Sequence, residues 1–376
     1  MITKDIYIFA GYLESGSASC NRLLAYSKGF LELGYHPIII AFHNYRMNLS
    51  VDTSFPDIRV LPPTKIKNNY LRLVFSMLYL WYYLVKFHTK RDNMMIYGMG
   101  LPLFCFLLSG RRNVWVEQTE CPEVIPPFMI PHSISYWLCK KMKGMFVISG
   151  TLKEFFISKG LNGTNIEIIN MIVDPTRFEN IPHKKEKDRY LAYCGIVSKN
   201  KDGVDLLLRS FALYHQVFPD IKLKIIGRFD QDFSMADIQD FLEENNIEGF
   251  VDFEGLLPPL KMPELLINAE MLLLCRPYNK QSYYGFPTKL GEYLLSKRPV
   301  VVTSVGDIGR FLSNKENALI VQPESVEDFA NAMIWCSENP QKANTMAEKG
   351  YKVAMENFNN VTECKKILKC FDRLYE

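Results

Sequence analysis

The sequence predicts an α/β protein made of two Rossmann-like domains facing each other across a cleft. Three observations carry that prediction. Short, continuously apolar, β-branched runs alternate with helix-period segments, the pattern of strands buried on both faces of a parallel sheet. The alternation breaks once, at the polar and charged run Glu179–Arg189, and then restarts. The 376 residues exceed the roughly 250–300 at which a single core stops growing.

In the first half, strands are predicted at Ile6–Phe9, Pro37–Phe42, Met94–Tyr97, Val114–Glu117, Gly144–Ile148 and Glu167–Ile169. Helical periodicity falls at Asn21–Leu33, Tyr70–Phe87, Ile134–Lys141 and Leu152–Lys159. Strand and helix in turn imply βαβ units and a doubly wound sheet. In the second half, Tyr190–Cys194, Lys222–Ile226, Val251–Phe253, Met271–Cys275, Pro299–Thr303 and Ala318–Val321 read as strands. Helices are predicted at Val204–Gln216, Met235–Asn245, Pro263–Asn268, Lys289–Ser296, Asp328–Glu338 and Asn344–Asn357. The domains are placed at 1–180 and 190–358, with a linker at 181–189 whose Pro182–Asp188 stretch is expected to bend. A helix in 359–376 is expected to pack back on the first domain.

Composition excludes several classes. With 48% hydrophobic residues, the chain has enough apolar surface to offset its conformational entropy, so disorder is excluded. A net charge of +3 does not suit a nucleic-acid partner. Nine cysteines, with no CxxC pair and no Cys/His metal spacing, read as reduced thiols. The start runs almost directly into an apolar strand, which predicts no signal peptide and a cytoplasmic location.

In parallel α/β sheets, ligands bind at the carboxyl ends of strands. Four such loops stand out. Gly11–Ser19 contains Gly16, whose small size allows backbone N–H groups to approach an anion, or which serves an ordinary strand–helix turn. Its glycines are not spaced as GxGxxG, so a nicotinamide cofactor gains little. Gly195–Asp205 brings Lys201 beside a helix start, suited to a phosphate or to a solvated turn. Tyr283–Leu294 contains Gly285, Pro287, a predicted Thr288 N-cap and Lys289, whose ammonium would meet a pyrophosphate. Glu292, one turn later, suits a pair of ligand hydroxyls or an internal cap. Trp115–Glu123 places acidic groups at a strand end, either facing the cleft or as solvated loop carboxylates.

These stretches together resemble family 4 of the retaining glycosyltransferases, which have the GT-B fold. Phe146–Ser149 and Ile169–Phe178 resemble its "VIS" and "IPNGVDxxRF" segments, and Tyr193–Asp205 its "YVGxxxxxKGVD" segment. Lys224–Gly227 and Val251–Gly255 resemble "LxIxG" and "VxFxG". Gly285–Glu292 with Arg298–Val301 resembles its donor-binding E-x7-E region and "GxPVV" strand. The resemblance implies a nucleotide-diphospho-sugar donor, no cofactor and no metal. It implies that Lys201 neutralises the diphosphate and Glu292 binds the ribose hydroxyls. Gly285, Phe286 and Leu290 would line the phosphates and sugar, and Gly16 would approach the phosphates from the first domain. Base and sugar preference would sit around Arg228, Tyr278 and Tyr284. The acceptor implied is a glycan, lipid-linked or part of a surface polysaccharide.

Two positions depart from the family pattern. Tyr284 occupies the place of the first Glu of E-x7-E, and Glu120 stands where many members have His. Glu120 is therefore expected to contact the donor sugar or acceptor hydroxyl, with Tyr284 supporting sugar selection. A catalytically inactive sugar-nucleotide-binding subunit and a sugar-nucleotide 2-epimerase are the alternatives.

Tyr70–Phe87 is rich in Tyr, Trp, Phe and Leu and flanked by Lys65, Lys67, Arg72, Lys86, Lys90 and Arg91. Its uncharged core is too short to span a bilayer. It suits either a buried helix on one sheet face or a helix lying in an anionic membrane interface.

Overall fold

The computed structural model describes residues 5–372, apart from 15, 47–56, 63–65, 67, 90, 125, 127–128, 183–188 and 232. Most of the expected hinge, and Lys65, Lys67 and Lys90, lie outside the described residues. The chain divides into two units, one of residues 1–174 with 360–376 and one of residues 175–359.

Unit 1 runs β1 (Asp5–Glu14), α1 (Ala18–Glu32), β2 (His36–Arg46), β3 (Asp57–Val60), α2 (Asn69–Phe87), β4 (Asn93–Tyr97), α3 (Pro102–Leu108), β5 (Val114–Gln118), α4 (His132–Cys139), β6 (Gly144–Val147), α5 (Gly150–Ser158) and β7 (Ile166–Ile168). Its sheet is ordered β3-β2-β1-β4-β5-β6-β7, and every pairing is parallel. Burial on both faces explains the apolar runs: Ile38, Ile39, Ile40 and Met94, Met95, Ile96 are all at most 1% exposed. β1 is longer than its apolar core because it continues along β2 after a register shift between Ala10 and Tyr12. The sequence did not announce β3 or α3. β3 is a four-residue edge strand, and α3 starts at a proline with no side-chain cap.

Unit 2 runs β8 (Tyr190–Cys194), α6 (Lys199–Asp202), α7 (Val204–Val217), β9 (Lys222–Ile226), α8 (Ala236–Glu244), β10 (Val251–Gly255), α9 (Met262–Asn268), β11 (Met271–Leu274), α10 (Lys280–Tyr284), α11 (Lys289–Leu295), β12 (Val300–Thr303), β13 (Leu319–Val321), α12 (Val326–Glu338) and α13 (Pro340–Asn357). Its sheet is ordered β10-β9-β8-β11-β12-β13, again all parallel. The strand order reverses direction at β8, the switch point where such sheets leave a crevice for ligands.

The final helix, α14 (Asn360–Asp372), belongs to unit 1 and packs on α1. Cys364, Ile367, Cys370 and Phe371 join the core formed by Leu23, Tyr26 and Phe30. The approach is close: a Cβ on Gly29 would lie 2.7 Å from the Asn360 carbonyl oxygen. Buried charge reinforces this core. The Arg22 guanidinium donates to Glu117 (2.7 Å) and to the carbonyls of Asn170 (2.8 Å) and Ile169 (2.9 Å). Its charge is thus compensated by a carboxylate and two carbonyls, the arrangement a buried guanidinium requires. Glu363 accepts from the Asn170 N–H at 2.9 Å, tying α14 to the chain after β7. All nine cysteines are buried.

Candidate functional site

The carboxyl ends of β8, β9 and β11 carry most of the residues singled out in the sequence. After β8 the chain turns through Gly195, and Ser198 caps α6 by accepting from the Lys201 N–H at 3.0 Å. The β8 loop stays fastened to the β9 loop: the Val197 N–H donates to the Arg228 carbonyl at 2.9 Å. Arg228 therefore fixes the loop with its backbone and leaves its side chain exposed.

Lys289 is placed differently from the expectation of an ammonium held out for a pyrophosphate. Its Nζ is paired with the Asp202 carboxylate and lies 3.2 Å from the Tyr193 hydroxyl. Tyr193 donates to Asp202 Oδ2 at 2.8 Å, and the Arg276 Nε lies 3.6 Å from Oδ1. Asp202 is 3% exposed. Burial pushes its carboxyl up, but the Lys289 ammonium and Arg276 guanidinium more than offset this and hold it below the ordinary carboxylate range. The ammonium passes so near the β8 tip that a Cβ on Gly195 would lie 1.8 Å from Nζ. Lys201 is half-buried, and its charge, like that of Arg276, acts on Lys289. Lys289 and Arg276 thus share one buried carboxylate, with Lys201 near enough for its charge to act on Lys289. Tyr193, Asp202 and Arg276 were missed in the sequence as members of this cluster. The only signal was the charged Lys-Asn-Lys-Asp run, which reads equally as a solvated turn.

Glu292 lies on α11 and pairs with Arg177, on the single turn Pro175–Phe178. Arg177 also donates to the Pro259 carbonyl at 3.1 Å. One oxygen of Glu292 is thereby held by a cation, which sets the direction of the carboxylate. Thr288 does not act as the predicted N-cap: it is already helical (φ −61°, ψ −23°) and makes no side-chain cap bond. Its place falls inside the turn instead of before it. Phe286 and Leu290 are buried, 6% and 0% exposed, with the Phe286 ring packed on Phe311 and Phe358. Neither side chain offers a surface to a ligand, so a contribution from either must come through the backbone. Gly285 ends α10, a helix held by a reciprocal Asn279–Ser282 capping box. Tyr284 closes the same helix, its ring edge-on to Tyr283, which in turn meets Tyr278. Tyr278 and Tyr283 are exposed, 59% and 39%.

In unit 1, Glu120 follows β5 and is half-buried. Gln118 holds its backbone, donating from Nε2 to the Glu120 carbonyl at 2.8 Å while Oε1 accepts from the Met99 N–H at 3.3 Å. Beside it, Tyr97 and Thr119 share a hydroxyl hydrogen bond of 2.7 Å. Gly16 sits exposed with φ 81° in the turn before α1, whose N-cap is Ser17. Among the described residues there is no group of three His, Cys, Asp or Glu that could hold a metal ion.

Two units, each a parallel sheet dressed with helices, define the class: the chain has the GT-B fold of glycosyltransferases. Residues 188–339, most of unit 2 and including the cation cluster and Glu292, match the family described as glycosyl transferases group 1. Solved structures similar over their whole length include HepE of Anabaena in complex with UDP, 15% identical, TM-score 0.74, covering 99% of this chain and 100% of that one. A glycosyltransferase from Rickettsia africae is 14% identical, TM-score 0.76, covering 100% of both chains. A variant of TarM from S. aureus, in complex with fondaparinux, alpha-GlcNAc-glycerol and UDP, is 14% identical, TM-score 0.76, covering 98% of this chain and 100% of that one. No curated protein matches by sequence.

Proposed function

We propose that the chain is a retaining, metal-independent glycosyltransferase that moves a sugar from a nucleoside-diphosphate donor to a hydroxyl of a lipid-linked or surface-polysaccharide glycan. The observation that carries this reading is the group of cations, Lys201, Lys289 and Arg276, at the strand ends of the family-matched unit. Lys201 takes the charge of the departing diphosphate, the work a metal ion does elsewhere. Glu292, oriented by Arg177, accepts from the ribose hydroxyls. The departing phosphate takes the acceptor proton on the face it leaves, through an oxocarbenium-like transition state, so the anomeric configuration is retained. UDP in the HepE and TarM structures makes uridine the first base to try.

A panel of nucleotide sugars followed by thermal shift tests the donor. A ligand at 100 times its Kd adds about 2.7 kcal/mol to the folded state. For a unit of this size that raises Tm by roughly 5–10 °C, in EDTA as well as in magnesium. If no nucleotide sugar moves Tm, the reading fails. Donor binding without transfer to any glycan or lipid-linked extract would favour the non-catalytic subunit that the neutral Tyr284 suggests.

Glu120→Gln is expected to slow transfer by roughly 10–100-fold, because it removes a charged hydrogen-bond acceptor, and Tyr284→Phe by roughly fivefold. Diphosphate release measures both. Wild-type rates in the two variants would remove both residues from the sugar-contacting set.

A further inference from the structure

Unit 1 has an outer surface that its own packing does not cover. α2 buries only a narrow stripe, Leu73, Ser76, Leu80 and Leu84, and packs against β2. Its other face is equally apolar and is exposed: Leu71, Val74, Phe75, Leu78, Trp81 and Tyr82 range from 42% to 56% exposed. Single exposed apolar side chains are ordinary on a soluble surface, but a continuous helical stripe of them is not. The stripe is broadened by its neighbours. α3 packs beside α2 and α4 beside α3. They add Leu108, 74% exposed, and Trp137, 45% exposed.

Charge says what covers it. From Ile58 to Val116 the sequence has nine Lys and Arg and a single acidic residue, Asp92, a net +8. The whole chain is +3, so everything outside this stretch is net −5. Lys86, Arg91 and Arg112 are exposed, whereas Arg59 pairs with Asp57 at 2.8 Å. Lys86 Nζ lies 5.2 Å from the ring centres of both Tyr82 and Phe87, and Lys141 Nζ 5.6 Å from Trp137. The ammonium groups themselves sit against the aromatic rings, Lys86 Nζ also donating to the Tyr82 hydroxyl at 2.8 Å, so cation and ring share one surface. A second copy of the chain would place one +8 stretch against another, which opposes docking.

We propose that α2, broadened by α3 and α4, seats the protein on an anionic lipid bilayer. The Trp, Tyr and Leu side chains enter the boundary between headgroups and acyl chains, and the Arg and Lys rim meets lipid phosphates. The surface lies wholly within unit 1 and does not depend on the donor reading.

The full-length chain, sedimented with phosphatidylcholine vesicles with and without phosphatidylglycerol, tests this. Binding is expected to the anionic vesicles, at least about tenfold stronger than to neutral ones and weakened by salt. Leu78→Glu with Trp81→Glu should lower vesicle affinity more than about 100-fold. Lys86→Gln with Arg112→Gln should lower it roughly 10–30-fold. An unchanged melting temperature and circular dichroism spectrum of each variant, measured without any nucleotide sugar, shows that it is folded and keeps this test apart from that of the donor. No binding to either vesicle, or equal binding to both without salt dependence, overturns the proposal. So does a dimer in solution that the Leu78→Glu, Trp81→Glu variant dissociates.

Discussion

Lys201→Met is expected to cut sugar transfer by about 10²–10³-fold, a larger effect on transfer than on the stability of unit 2. Two lysines that the sequence placed in the same role sit differently in the fold. Lys289 pairs with the buried Asp202, and Lys201 is half-buried on α6 with its backbone N–H capped by Ser198. Charge on a departing diphosphate develops only in the transition state, so losing Lys201 lowers kcat more than it raises the donor KM. Steady-state kinetics with the best donor, alongside a thermal melt, separates the effects. Equal loss in kcat and stability would mean that Lys201 is a structural residue.

Asp202→Ala is expected to act the other way, through the fold. The carboxylate compensates Lys289 and Arg276, and Arg276 is itself only 5% exposed. Removing one member of a buried ion group leaves uncompensated charge, at a cost of about 3–5 kcal/mol. For a unit of this size the melting point falls by roughly 10 °C. The effect depends on pH with a definite sign. Because the folded Asp202 carboxyl is held below its ordinary value, its contribution is present above about pH 4 and is lost as pH falls through the folded value. The gap in stability between wild type and Asp202→Ala should therefore be widest near neutrality and narrow towards pH 3. Urea denaturation at several pH values measures it. A gap that does not change with pH would show that packing, not charge, is what Asp202 supplies.

How much of this was legible in the sequence follows from the range over which each feature is determined. The buried strands could be read because burial on both faces is a local property: Ile38–Ile40 and Val300–Val302 need no partner to be recognised as apolar runs. The paired sheets followed from alternation alone. The GT-B class followed from the order of several short motifs, and the family match to 188–339 spans those from Tyr193 onward. The detail of the site was harder. Lys289 looked like a phosphate ligand because its partner, Asp202, is 87 residues away in the chain. Phe286 looked like a lining residue because nothing local shows that its ring turns inward to Phe311 and Phe358. Thr288 has the right chemistry for an N-cap, but the preceding Gly285–Pro287 turn brings it into helical geometry too early. The helix α10 was invisible as periodicity because five residues make little more than one turn; its capping box is its only strong signal.

The place of α14 has a consequence for synthesis. Its segment closes a core begun some 330 residues earlier, around Leu23, Tyr26 and Phe30. Unit 2 is contiguous from 175 to 359, whereas unit 1 is interrupted by it. On the ribosome the order of completion therefore inverts the order of the chain. The second unit has every residue it needs first, while α1 waits with an apolar face exposed until residues 360–372 emerge. That waiting surface is a ready target for chaperones, and the loss of α14 would leave the first unit, not the last, unfinished.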